Sequence, residues 1–101
     1  VSGKNGGCDL EGLSPDGLKV YIEVKSIEQI GQKIRLTNNE IGLAQDKQNS
    51  YYLALVRQTD NFIEIALIVN PINNLVLERK CIQWIWECAE YEYKPFRINI
   101  K

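Results

Sequence analysis

The chain has 101 residues, 45% of them hydrophobic and 25% charged, with 12 basic and 13 acidic side chains and a formal net charge of -1. That size suits one compact domain. With no His, Ser-His-Asp and Cys-His nucleophile systems are excluded within the chain, and three cysteines fall short of the four ligands of a closed zinc site. No overall positive field draws polyanions, so any contact with nucleic acid has to be local or metal-assisted. The odd cysteine count, with Cys81 and Cys88 flanking an apolar Trp-rich stretch, points to free thiols and a reducing cytoplasm. No apolar run approaches the ~18 residues of a membrane span, and we expect no membrane partner. A start at Val1 and the absence of Met read as a domain cut from a larger polypeptide.

In chain order, residues 1–7 read as a flexible, Gly-rich entry, and residues 8–101 as a single domain. Two alternating segments from Cys8 to Lys25 surround Ser14-Pro15-Asp16-Gly17-Leu18, whose Pro-Asp-Gly supplies tight-turn chemistry, so a β-hairpin is predicted. A loop from Ser26 to Lys33 leads to a short third strand at Ile34 to Leu36. Thr37-Asn38-Asn39-Glu40 has capping-box spacing, predicting a helix to about Lys47 and giving Glu40 a structural role. Tyr51 to Arg57 and Phe62 to Val69 are near-continuous apolar runs, expected as interior strands. Pro71 ends the second. In the tail, Leu75 to Arg79, Cys81 to Glu87 and Phe96 to Ile100 can each be strands, while Cys81 to Ala89 can instead be a short helix.

Centring the turn on Asp16 pairs Leu13 with Lys19, Glu11 with Tyr21 and Asp9 with Glu23. Alternation then puts Cys8, Leu10, Val20, Ile22 and Val24 on an expected core face, and Asp9, Glu11, Tyr21, Glu23 and Lys25 on an expected polar face. Carboxylates directly opposite each other destabilise a sheet unless something neutralises them, and a divalent cation does so. Lys25 beside it is placed to orient a water or to stabilise charge developing on a phosphate. The plainer reading of the same residues is a solvated outer face.

The succession Gly7-Cys8-Asp9-Leu10-Glu11, Tyr21-Ile22-Glu23-Val24-Lys25-Ser26, Arg35-Leu36-Thr37-Asn38-Asn39-Glu40 and Tyr51-Tyr52-Leu53-Ala54-Leu55-Val56 resembles the domain named after the C-terminus of the plant protein NO VEIN. That domain is similar to the PD-(D/E)xK nucleases and occurs in multidomain proteins, including bacterial restriction and phage-defence proteins. The resemblance implies an α/β, restriction-endonuclease-like mixed sheet built from the hairpin, the third strand, the helix and further strands. It implies Asp9 and Glu23 as metal ligands for Mg²⁺ or Mn²⁺, with Lys25 as the third catalytic residue. Pro15-Asp16, at the hairpin tip, is not the motif's acid. Two departures stand out: the first core helix is missing, and Cys8 stands where an aromatic residue is usual.

Lys33 and Arg35, on the approach to the hairpin, are candidate contacts to a phosphate backbone, and Tyr21 is a candidate base contact. Each has a structural alternative as a strand edge or a β-former. Trp84 and Trp86 are read as core and rim filling or a docking surface rather than a stacking platform. The leading expectation is metal-dependent hydrolysis of nucleic acid, most readily DNA, within a larger defence protein. The alternative is a noncatalytic module that binds nucleic acid or docks other domains of its parent. A homodimer is left open.

Overall fold

A computed structural model describes residues 7–80 and 85–100. The first expectation it meets is the hairpin. Strand β1 (Leu10–Leu13) runs antiparallel to β2 (Lys19–Ser26), with Leu13 opposite Lys19 and Glu11 opposite Tyr21, the register that the turn chemistry predicts. Gly17 adopts φ 83°, and the Ser14 hydroxyl accepts from the Leu18 N–H at 3.2 Å and bonds the Asp16 carboxylate. Asp16 is thereby committed to the turn.

Strand β3 (Ile34–Thr37) leads into α1 (Asn38–Lys47), and a 3-10 turn (Gln48–Ser50) delivers the chain to β4 (Tyr51–Gln58). The capping box is complete: Thr37 Oγ1 accepts from the Glu40 N–H at 3.2 Å, and Glu40 Oε1 accepts from the Thr37 N–H at 3.0 Å. Strand β5 (Phe62–Val69) is antiparallel to β4. It ends at Asn70, whose left-handed φ of 48° turns the chain so that Pro71 opens the single-turn helix α2 (Pro71–Asn74). Strands β6 (Glu78–Lys80), β7 (Ile85–Cys88) and β8 (Pro95–Asn99) complete the chain. The tail is therefore β-structured where it is described; Cys81 and Trp84 lie outside the described residues.

The strands form two sheets rather than one. The larger is mixed, in the order β1-β2-β4-β5-β8, with β2 and β4 parallel and the other pairs antiparallel. The smaller is β3-β7-β6. This corrects the expectation that the third strand joins the hairpin's sheet. The cause is one-sided burial: Ile34 and Leu36 alternate with exposed Arg35 and Thr37, and they pack down onto Leu53 and Leu55 of the large sheet. A strand in that position covers the sheet instead of extending it. Cys88, Ile41 of α1 and Ile27 close the same core.

A second correction concerns the faces. Paired residues of neighbouring strands point to the same side. The parallel register sets Tyr21, Glu23 and Lys25 beside Tyr51, Leu53 and Leu55, which are all fully buried. The side expected to be polar and solvated is thus the covered side, beneath α1 and the small sheet. The side expected to be core, with Leu10, Val20, Ile22 and Val24, is only half-buried, and Leu10 is exposed. Polarity misleads here because the charged side chains of β2 find their partners inside.

Candidate functional site

Gly7 begins the site. Its φ is +123°, and a Cβ placed there would lie 2.5 Å from the Asn39 carbonyl oxygen. Only glycine lets the chain pass this close to the start of α1. The Tyr51 hydroxyl donates to the Gly7 carbonyl at 2.7 Å, fixing the approach from beneath. Of the expected flexible entry, Gly7 is therefore packed and buried; residues 1–6 lie outside the described residues. Cys8 follows into a small cluster with Ala44 and Tyr51, and burial pushes its thiol pKa up.

Asp9 stands just before β1. Its N–H donates to the Ile22 carbonyl at 3.0 Å, although the Cα partner of Ile22 is Leu10, so two consecutive residues share one opposite residue in the manner of a bulge. The predicted face-to-face pairing of Asp9 with Glu23 is not formed as a ladder pair. Instead the Asp9 carboxylate accepts from the Val24 N–H through Oδ2 at 2.9 Å, taking the place of a main-chain carbonyl one residue beyond Glu23.

Glu23 is 1% exposed, and its Oε2 lies 3.5 Å from Lys25 Nζ. Lys25 Nζ also donates to Glu40 Oε1 at 2.8 Å, and Glu40 is equally buried. Lys25 thus joins Glu23, its same-side neighbour on β2, to the N-terminal turn of the helix laid over them. Glu40 carries two duties on one oxygen, the cap and the lysine contact. Its capping role is legible from the spacing; its contact with Lys25 is not, because no local pattern says which strand lies beneath a helix. The Tyr51 hydroxyl reports the same grouping: burial first, then the fields of Glu23 and Glu40, raise its pKa well above the ordinary tyrosine range.

Lys25 joins this cluster to an open groove of about 600 Å³, whose walls include Gln32, Lys33 and Arg35. The two basic residues picked out for phosphate contact therefore share a groove with the motif lysine. Arg35 also pairs through Nε with Glu87 Oε2 at 2.8 Å, directly across the β3–β7 ladder. Tyr21 is less available: it packs on the cluster around Cys8, with the ammonium groups of Lys47 and Lys19 at 5.0 and 5.5 Å from its ring. Trp86 packs at the rim of the main core and donates to Asn38 Oδ1 at 2.9 Å. Among the described residues, no group of three or more Cys, Asp or Glu side chains is spaced to hold a metal ion. The donors at hand, Asp9 and Glu23, are hard carboxylates of the type that Mg²⁺ takes one or two at a time, completing its shell with water and phosphate.

Sheet order and site together define a small α/β domain with a mixed sheet, carrying a carboxylate–lysine cluster under its first helix. The family model described as "Protein NO VEIN, C-terminal" matches residues 1–68, and the chain belongs to that family. No curated protein and no solved structure matches the chain. No helix among the described residues is long and apolar enough to cross a membrane.

Proposed function

We propose that this domain hydrolyses phosphodiester bonds in nucleic acid with the help of Mg²⁺ or Mn²⁺, as a PD-(D/E)xK-type module of a larger restriction or defence protein. The observation that carries the reading is Lys25, which contacts buried Glu23 and Glu40 on one side and lines the Lys33 and Arg35 groove on the other. Asp9 and Glu23 would hold the metal. A bound divalent ion supplies Lewis acidity and lowers the pKa of a water. Lys25 would orient an attacking water and stabilise charge developing on the phosphate, while Glu40 holds the ammonium in place. Lys33 and Arg35 grip the flanking backbone as local positive charge on a chain with no overall positive field.

The test is cleavage of DNA and RNA substrates with Mg²⁺ by the parent and by Lys25→Ala. The expected loss is about 10²–10³-fold, the scale for removing one preorganised donor. Equal cleavage by both would contradict the proposal. The second reading, a noncatalytic module, draws on the same cluster, since Glu40 caps α1 and pairs with Lys25 without any chemistry. A domain of that kind binds its partner equally well with Lys25 replaced and takes up no divalent cation through Asp9 and Glu23.

A further inference from the structure

The large sheet has a second face, and its composition is unusual for a surface. Following the register across all five strands, that face carries Leu10 and Gly12 from β1; Val20, Ile22 and Val24 from β2; Tyr52, Ala54 and Val56 from β4; Ile63, Ile65, Leu67 and Val69 from β5; and Phe96 and Ile98 from β8. None of these is charged. Polar side chains enter at the two ends: Ser26 and Gln58 at one, and Asn74, Glu92 and Lys94, which share a pocket with Leu67 and Val69, at the other. The helices and the small sheet pack on the opposite face, through Leu53, Leu55, Ala66 and Ile68. Phe96, Leu67, Ile98, Leu10 and Val69 remain 51%, 50%, 48%, 47% and 39% exposed.

We propose that this face closes on a second copy of itself, sheet against sheet, as a two-fold homodimer. Size argues first. Five strands about 4.8 Å apart, about six residues long at about 3.3 Å per residue, make a face about 24 Å by 20 Å. A single helix, about 10 Å in diameter, covers less than half that width, whereas a second sheet of the same dimensions packs about 10 Å away and covers all of it. With the half-buried Val20, Ile22, Val24, Tyr52, Val56, Ile63 and Ile65 added to these five, the apolar surface is on the order of 600 Å² per copy, or about 1,200 Å² for the pair, at the threshold of a specific interface. A surface left free seldom carries a contiguous apolar patch of that size.

Charge argues second. An isologous contact sets each residue of the patch against the same patch, so any charged side chain near the axis meets its own kind. The strands carry none on this face, Glu92 and Lys94 at its edge neutralise each other at 2.7 Å, and a formal net charge of -1 adds little repulsion between copies. Glu23 and Lys25 lie on the other side of the sheet, while Val24 of the paired face reaches the edge of the groove.

The experiment is the mass in solution, by light scattering and sedimentation, of the 101-residue chain and of Leu67→Lys and Ile98→Lys, with circular dichroism confirming that both variants stay folded. The expected result is a species of twice 11.6 kDa for the parent, converted to the single-chain mass by either substitution. A parent that stays at the single-chain mass at every concentration overturns the proposal. So does a dimer unmoved by both substitutions, or a parent that forms only polydisperse aggregate.

Discussion

Glu40 oxygen Oε1 receives both the Thr37 N–H and the Lys25 ammonium at a position 1% exposed. Removing one member of a buried pair leaves its partner uncompensated, which costs about 3–5 kcal/mol. We expect Glu40→Ala to fall toward the lower end of that range, because Lys25 keeps some contact with water, and Glu40→Gln to cost less, because an amide oxygen still caps Thr37. Urea midpoints of the two variants check the order. Gly7→Ala is a second test at this scale. A φ of +123° with a Cβ 2.5 Å from the Asn39 carbonyl costs about 1–3 kcal/mol in strain alone, and the clash adds to it. A variant as stable as the parent on urea unfolding would show that the chain need not pass so close to α1. Both residues show where sequence reading stops. Glu40 was legible as a cap because capping is local, and illegible as the partner of Lys25 because that contact depends on which strand runs beneath.

Among the elements, the β1–β2 register was legible because the Ser14 to Leu18 turn dictates it, and α1 because its capping box does. The assignment of faces was not: Glu23 and Lys25 read as outward residues until the contact of Lys25 with Glu40 on α1 is known. β3 read as a neighbour of the hairpin because sequential strands usually pair, while its alternating Ile34 and Leu36 serve as a lid. A row across β4, β5 and β8 gives a further prediction. Glu64 is buried between Arg57 and Arg97, at 2.7 and 2.9 Å, in strand register with both, and Tyr93 also donates to it. The hydrogen bond from Arg57, then that from Arg97, hold its carboxyl below the ordinary glutamate value despite burial. A depressed folded pKa contributes stability that is complete above the unfolded value of about 4.3 and lost as pH falls through the folded one. The melting temperature should therefore drop as pH falls below about 4, and Glu64→Gln should flatten that part of the profile. An unchanged acid limb in the variant would mean the row contributes little to the acid response.

For the whole molecule, the two faces of the large sheet divide the work. One carries the core, the buried carboxylates and Lys25; the other carries uncharged residues suited to a second sheet. The residue types behind the proposed hydrolysis were visible in the sequence, since a chain without His leaves such a reaction to carboxylates, a metal and a lysine. It did not show that these residues lie beneath the helix, or that the strands carry no charged side chain on the opposite face, because both depend on long-range pairing of β2, β4, β5 and β8. A ligand that binds only the folded chain raises its stability by about 2.7 kcal/mol at a hundredfold excess over Kd. Mn²⁺ should therefore raise the melting temperature of the parent and leave that of Glu23→Gln unmoved.

The proposed function stands on Asp9 and Glu23 together holding a divalent cation beside Lys25. Calorimetric titration of Mn²⁺ into the parent, Asp9→Asn and Glu23→Gln tests it most directly. Saturable uptake by the parent and none by either variant is expected, with all three folded by circular dichroism; no uptake by the parent, or the same uptake by all three, would rule out a metal site at this pair.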